Sequence, residues 1–428
     1  MATRAYDVIV VGSGPGGATV AKELALKHKK VLILERGSNT PIKGTTLQAI
    51  SMSAIPGQSL LITYKMLAIM RGITTGGSSV VFYATAFDPP FDMLRSYNIS
   101  IEDEIKEAKA ELPIKPLSDE LMGPMSKRIM ESAQALGYKW EKLPKYIYQD
   151  KCMPNCYKCN LGCPYSAKWS ARMFAEQAVS HGAVLTTGAL VTKVITEDHR
   201  AIGVEYKKDG VNNTAYAPII IIAAGGIGTP VILRASGIKR AGYDFFIDPL
   251  ITVIGFVNDI KGGKEVPMAA GIHFEDEGYM MTDMTVPNVL YMFFAGQVLR
   301  LHRLFSHSKA LQIMIKIKDD LGGRLTDSGG VRKHLTNNDM KKINDGASRA
   351  EKILRHAGAY GIFRSWYVAS HPGGTAKIGD IVDANLQTEY KGLYICDASV
   401  IPQSWGRPPS LTLIGLGKRL ARHLIQAK

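Results

Sequence analysis

The chain has 428 residues, 46% hydrophobic and 21% charged, which is long enough for two domains with substantial cores and too apolar for a disordered chain. Its 52 basic and 38 acidic residues leave a net charge of +14. That balance suits an acidic partner, an anionic substrate or an anionic membrane surface, and no arginine-rich arm or zinc-finger spacing points to nucleic acid.

The chain opens MATRAYDVIVVGSG. Its first apolar run leads directly into a glycine motif, so it reads as a folded strand and not as a cleavable signal. No uninterrupted apolar stretch reaches the roughly 18 residues of a spanning helix.

Residues 6–17 read YDVIVVGSGPGG. The β-branched run from Val8 to Val11 predicts a buried parallel strand. It ends in Gly12-x-Gly14-x-x-Gly17, and ATVAKELALK continues at helical spacing. Gly12 permits the tight turn, Gly14 lets a pyrophosphate approach the backbone, and Gly17 lets the helix pack on the strand. The phosphates then meet free N–H groups at the helix N-terminus. A second apolar strand, VLILE, ends in Glu35, placed to accept hydrogen bonds from the ribose of an adenosine. A lone glycine motif is weak evidence, but strand, glycines, helix, strand and acid in this order predict a dinucleotide site. The motif does not separate FAD from NAD.

Two segments mix apolar and basic residues, 58–71 and 289–318. The second carries Arg300, Arg303, Lys309, Lys316 and Lys318 among large apolar side chains. It reads as an amphipathic helix on a core, with a membrane surface as the alternative.

Residues 151–168, KCMPNCYKCNLGCPYSAK, hold four of the five cysteines: Cys152, Cys156, Cys159 and Cys163. Disulfides are disfavoured in a chain expected in the cytoplasm. Pro154, Asn155, Lys158, Asn160 and Gly162 make this a polar loop and not a core strand. Four thiolates so close repel one another unless a cation lies among them, which points to a metal. Zinc accepts four cysteines, but its structural sites usually pair two separated knuckles. The ending C-x2-C-x3-C-P follows ferredoxin-like spacing. The expected group is therefore a [4Fe–4S] or [3Fe–4S] cluster, with zinc and a metal-free loop as alternatives. Cys396 reads as a small buried hydrophobe.

Three further stretches carry a family resemblance. ITTGGSS at 73–79, IIAAGGIGTPVILRASGI at 221–238, and the terminal stretch that begins HPGGT at His371 and includes Asp397-Ala398-Ser399 resemble the glucose–methanol–choline (GMC) oxidoreductases. The resemblance implies an α/β fold, with a Rossmann-type FAD-binding domain and an α+β substrate domain built on an antiparallel sheet. It implies FAD, with Gly76, Gly77, Ser78 and Ser79 against the flavin and an adenine contact near Val191. Asp397 and Ala398 then lie near the pyrophosphate and ribityl groups. It also implies hydride transfer from a CH–OH group to flavin N5 while a base takes the hydroxyl proton. Histidine suits that role because its pKa of roughly 6.5 lies near working pH, and His371 is the candidate.

Family members usually place a second His or Asn in the terminal block. Here that step reads Arg407-Pro408-Pro409, and proline can neither donate a hydrogen bond nor transfer a proton. Arg407 is the candidate substitute, suited to an anionic substrate, with Ser404 and Ser410 as alternatives.

The expected division is a discontinuous FAD-binding domain (1–90, 166–242 and 372–428), a linker or helical segment with the cysteine loop (91–165), and a substrate domain (243–371). Strand-rich stretches followed by LTNNDMKKINDGASRAEKILRHAG predict an antiparallel sheet covered on one face. Met280, Met281, Met284, Phe293 and Phe294 suit either a hydrophobic substrate site or a plain core. The expected activity is a dehydrogenase that passes electrons through the cluster to an acidic carrier protein or a quinone. The alternatives are a flavoprotein reductase or desaturase on an apolar isoprenoid- or quinone-like substrate, and an electron-transfer subunit. The expected location is the cytoplasm, with peripheral membrane contact as an alternative.

Overall fold

The computed structural model describes residues 5–426. Val8–Val11 pairs in parallel with Val31–Leu34 on one side and with Ile219–Ile222 on the other. Val184–Thr186 and Leu393–Ile395 complete a five-stranded parallel sheet. The sheet thus draws strands from both ends and the middle of the chain. Val8–Val11 and Val31–Leu34 are buried at every residue, as expected for parallel strands covered on both faces. Helix Pro15–Ala25 packs against Ser410–Gln426 and Ala171–Ser180. An antiparallel meander, Leu190–Glu197, Arg200–Lys208 and Val211–Tyr216, links the fourth strand in sequence to the third.

The second sheet has nine strands. From one edge it runs Leu60–Ile62, Ala68–Met70, Val368–Ala369, Pro249–Phe256, Ala310–Ile317, Tyr279–Asp283, Ala270–Phe274 and Glu141–Lys142, with Tyr360–Arg364 also paired to Pro249–Phe256. Every pairing is antiparallel except that of Ala68–Met70 with Val368–Ala369. Helices Asn337–His356 and Pro124–Ala135 cover one face. The longer helix starts at a capping box, in which Thr336 and Asp339 exchange side-chain and backbone hydrogen bonds. Such a cap satisfies donors that would otherwise be orphaned. The α/β architecture with an antiparallel substrate sheet agrees with the sequence reading.

Residues 289–318 depart from it. Only Asn288–Gln297 is an α-helix, and Ala310–Ile317 is a central strand buried at every residue. Apolar residues surround the two polar ones there, a pattern that a buried strand and a buried helix share. Residues 60–70, expected in the dinucleotide part, form a hairpin at the edge of the second sheet. Among the described residues, no helix is long and apolar enough to cross a membrane.

Candidate active site

A cavity of about 560 Å³ lies between the two sheets. On one side it is lined by the turns that leave the C-terminal ends of the parallel strands, including Gly12, Glu35, Ala223 and Asp397. Open parallel sheets bind ligands at this position. On the other side it meets Leu250, Met268, Met284, Phe294, Met314 and Val368, an apolar wall.

The glycine turn fits a dinucleotide. Gly12 has φ +100°, and a Cβ there would overlap the carbonyl oxygen of Ala223. A Cβ at Gly17 would overlap the carbonyl oxygen of Gly12, so Gly17 serves helix–strand packing and does not line the cavity. At Gly14 and Gly225 an added Cβ would meet nothing within 4 Å, and both residues line the cavity. That open space is where a phosphate-bearing group can approach the backbone. The carboxylate of Glu35 accepts from the Ser13 backbone N–H (3.0 Å), the Ser13 hydroxyl (2.6 Å) and the Gly37 N–H (2.7 Å). Burial pushes its pKa up, against these hydrogen bonds.

Ser13 also accepts from the Gly76 N–H at 3.0 Å. This ties the first turn to the second glycine loop, of which Gly77, Ser78 and Ser79 line the cavity and Gly76 does not. Val191 and Ala398 line it as well. Asp397 accepts from the Gly225 N–H (2.8 Å), the Thr229 hydroxyl (2.5 Å) and the Ser399 N–H (2.8 Å). It therefore clamps two cavity-lining turns together. The donor-rich turns on one wall and the open glycine positions fit FAD.

His371 opens the HPGGT segment, whose Pro372 and Gly374 pack against the Gly226 and Ala398 turns. Its backbone N–H donates to the Ile247 carbonyl at 3.3 Å, and Phe246 pairs with Gly373. This pairing carries Asp248 alongside the histidine. Asp248 holds an unusual φ of +48°, and the buried Asp319 carboxylate accepts its N–H at 2.9 Å. The Asp248 Oδ2 lies 3.3 Å from His371 Nδ1 and 3.2 Å from Lys316 Nζ. Lys316 also contacts His371 Nδ1, and the Ser404 hydroxyl donates to the other Asp248 oxygen.

Asp248 and Lys316 are buried, and His371 and Lys316 line the cavity. Burial, reinforced by the Lys316 ammonium, pushes the His371 pKa down to about 4, against the pull of Asp248. Burial alone would raise Asp248, but Lys316, His371 and Ser404 hold it below the usual carboxylate range. His371 is therefore neutral at neutral pH. When Nδ1–H donates to Asp248, Nε2 keeps a free lone pair, as a general base requires.

Arg407 is placed elsewhere. Its guanidinium contacts His273 Nδ1 at 2.5 Å and Glu275 at 3.7 Å, and it does not line the cavity, whereas Pro408, Pro409 and Ser410 do. Ser404 reaches the site only through Asp248. The polar groups beside His371 are thus Asp248 and Lys316, the lysine supplied from the second sheet. Asp248 and Lys316 are absent from the sequence-derived site, and the one available signal was a lone lysine within the apolar run ALQIMIKI.

The four clustered cysteines all line a second, small pocket of about 10 Å³ together with Ile147, Met153 and Lys168. All are free thiols. Cys159 is buried and the other three are half-buried. Burial pushes Cys152 up to about 12 and Cys159 up to about 11. Among the described residues, no group of three or more His, Cys, Asp or Glu side chains is drawn together closely enough to hold a metal ion. The donor set has the chemistry of a tetrathiolate site, but the space as it stands accepts about one water-sized sphere. A cluster therefore requires the half-exposed side of the loop to move outward. The loop also adjoins the large cavity. Asn160, next to Cys159, lines it, and its buried Oδ1 has no hydrogen-bond partner.

Comparison with known proteins agrees with this geometry. Residues 6–255 match the N-terminal domain of GMC oxidoreductases, and residues 331–417 match their C-terminal domain. The uncharacterized protein MJ1450 of Methanocaldococcus jannaschii is 28% identical over 98% of this chain and 100% of its own. The long-chain-alcohol oxidase FAO3 of Arabidopsis thaliana is 23% identical over 95% of this chain and 66% of its own. Among solved structures, pyridoxine 4-oxidase from Mesorbium loti superposes with a TM-score of 0.77 at 14% identity, covering 99% of this chain and 100% of that one. Formate oxidase from Aspergillus oryzae RIB40 gives 0.75 at 14% identity, covering 97% of each chain. The chain belongs to the GMC oxidoreductase family and is an FAD-dependent oxidoreductase of CH–OH donors.

Proposed function

We propose that the protein is a dehydrogenase of an apolar alcohol, with His371 as the base. The observation that carries this reading is the neutral, cavity-lining His371, whose Nδ1–H faces Asp248 so that Nε2 stays free, with Lys316 beside the ring as Asp248's cation. Oxidation of one CH–OH group to a carbonyl releases two electrons and two protons' worth of hydrogen. The hydroxyl proton goes to His371 Nε2, and the carbon-bound hydrogen leaves as hydride. FAD, when bound, supplies the hydride acceptor.

Lys316 stands where it can also hold the substrate oxygen, in the role that Pro408 cannot fill. The remaining lining, Leu250, Met268, Met284, Phe294 and Met314, favours an alkyl or isoprenoid chain over a sugar, since it offers few partners for hydroxyl groups. The name of FAO3 points the same way. Arg407 keeps no role in this scheme beyond its contacts to His273 and Glu275.

The electron outlet is proposed at the four cysteines. Cys152, Cys156, Cys159 and Cys163 would be the residues to hold an iron–sulfur cluster, which would supply one-electron chemistry. Asn160, the neighbour of Cys159 in the chain, lines the large cavity, which supports this reading. The test is anaerobic incubation of FAD-loaded protein with primary alcohols of increasing chain length. One aldehyde per FAD, with preference for longer chains, is the expected result. A reduced flavin that instead hydrogenates an unsaturated apolar substrate would favour the reductase reading.

A further inference from the structure

The helix Asn288–Gln297 is apolar on two sides. Leu290 and Phe294 line the large cavity, while Val289 and Phe293, four residues apart and so on one face, are exposed to solvent. The turns that follow, Leu301–Arg303 and His307–Lys309, pack against this helix and extend its apolar surface. Leu299 is 81% exposed, Leu301 60% and Phe305 86%. Single exposed leucines are ordinary, but large apolar side chains gathered on one short stretch mark a contact surface.

This stretch is firmly held, so its exposure is not fraying. The Arg300 N–H donates to the Ala295 carbonyl (2.8 Å) and the Leu299 N–H to that of Gly296 (3.0 Å), which closes the helix in a Schellman motif. The Tyr291 hydroxyl donates to the Arg303 carbonyl at 2.6 Å, and the Arg303 guanidinium lies over the Phe256 ring at 4.5 Å. Leu299 takes the left-handed position of the motif, with φ +58°, where glycine is the usual residue. Folding alone gives no reason for a leucine there. A partner that buries it does.

The charge around the surface has one sign. No Asp or Glu occurs between Asp283 and Asp319, and Arg300 is exposed. A neighbouring loop joins through the Gly262 N–H, which donates to the Ser308 carbonyl at 2.8 Å. That loop presents exposed Lys261 and Lys264, and its Asp259 is engaged by Arg128 at 2.5 Å. Apolar tips beside cations suit the boundary between anionic headgroups and acyl chains. A second copy of the chain suits them less, because a two-fold contact sets the cations of one copy against those of the other.

We propose that Val289, Phe293, Leu299, Leu301 and Phe305 dock the protein on an anionic lipid bilayer, with Arg300, Lys261 and Lys264 at the headgroup phosphates. The contact is peripheral. It sets one helix between the bilayer and the cavity, since the inner face of that helix is cavity wall. The docking surface stands apart from the question of which donor the enzyme oxidises.

The test is co-sedimentation of the full, FAD-loaded chain with vesicles of phosphatidylcholine alone and of phosphatidylcholine mixed with phosphatidylglycerol. Wild type is expected to bind the mixed vesicles and to bind the neutral ones far more weakly. The double variant L299G/F305S should lose at least about tenfold in affinity for the mixed vesicles, with flavin content and melting temperature retained. If it fails to fold, L299G alone carries the comparison, since glycine suits that backbone. R300Q should lose about fivefold, and added salt should erase its difference from wild type. V211S, which changes an exposed valine on the antiparallel meander, is the control and should bind as wild type does. Undiminished binding by a folded L299G/F305S variant would overturn the proposal. Wild type that binds neither vesicle would overturn it in favour of a protein partner, and a dimer that L299G/F305S disrupts in sedimentation velocity would then identify that partner as a second copy.

Discussion

The Nδ1 atom of His371 lies 3.3 Å from Oδ2 of Asp248, an aspartate 123 positions away in the chain that is brought alongside by the backbone pairing of residues 246–247 with 371–373. The proposed base and the group that orients it therefore come from opposite ends of the substrate region in sequence. Lys316 joins them from the neighbouring strand, where Leu250 and Lys316 are register partners. Asp248, His371 and Lys316 form one charge-coupled unit.

Removing the base should separate chemistry from cofactor binding. H371A is expected to retain FAD, because the Gly12–Gly17 turn and Glu35 keep their own backbone contacts without the imidazole. Its rate of flavin reduction by an alcohol should fall about 100- to 10,000-fold. Anaerobic stopped-flow absorbance measures the rate, and the flavin spectrum reports occupancy.

The lysine should set the acid limb of the reaction. With Lys316 present, His371 titrates at about 4, so alcohol-dependent flavin reduction should stay on a plateau through pH 6 and fall only in stronger acid. K316M removes a like charge from beside the imidazole, so the limb should move to higher pH. It also leaves Asp248 without its cation, at a cost of about 3–5 kcal/mol. The pH profile and a urea melt of the same variant read the two effects separately.

The same histidine predicts a direction for stability. His371 is held at about 4 in the fold, against 6.5 for an ordinary histidine. Between those values the unfolded chain binds the extra proton, so this contribution is complete above pH 6.5 and is lost as pH falls toward 4. Denaturant midpoints of wild type and H371N across that window should converge as the pH falls. Parallel curves would contradict the assignment.

Two glycines of one motif should fail in different ways. G12A places a Cβ against the Ala223 carbonyl on a backbone with φ +100°, so it should unfold the parallel sheet or lower its thermal midpoint severely. G14A meets open space. It should leave the apoprotein's melting unchanged while FAD content falls, because the methyl group occupies the position from which phosphate approaches. Calorimetry of apoprotein, paired with flavin titration, distinguishes them.

The dinucleotide half of the site was legible because its chemistry is local. Gly12, Gly14, Gly17 and Glu35 act through backbone shape and one acid at fixed spacing, and the parallel strands announce themselves as unbroken β-branched runs. His371 was legible only through the motif around it. Asp248 and Lys316 were not, because their roles arise from sheet register between segments more than sixty residues apart in the chain. Lys316 was hidden twice over, since a short apolar run with a lysine at its end fits an amphipathic helix as well as a buried strand. Arg407 shows the converse error. A charged residue beside Pro408 in sequence turns to His273 and Glu275 because only one side of that turn faces the cavity.

The most direct measurement is anaerobic mixing of FAD-loaded wild type and H371A with a series of long-chain primary alcohols, following the flavin's visible absorbance. Rapid bleaching in wild type, with an aldehyde formed in step and the rate largely lost in H371A, is the expected result. Equal bleaching of both proteins would remove His371 as the base. No bleaching of flavin-loaded wild type by any alcohol, with reduced flavin instead reoxidised by an unsaturated apolar compound, would contradict alcohol oxidation.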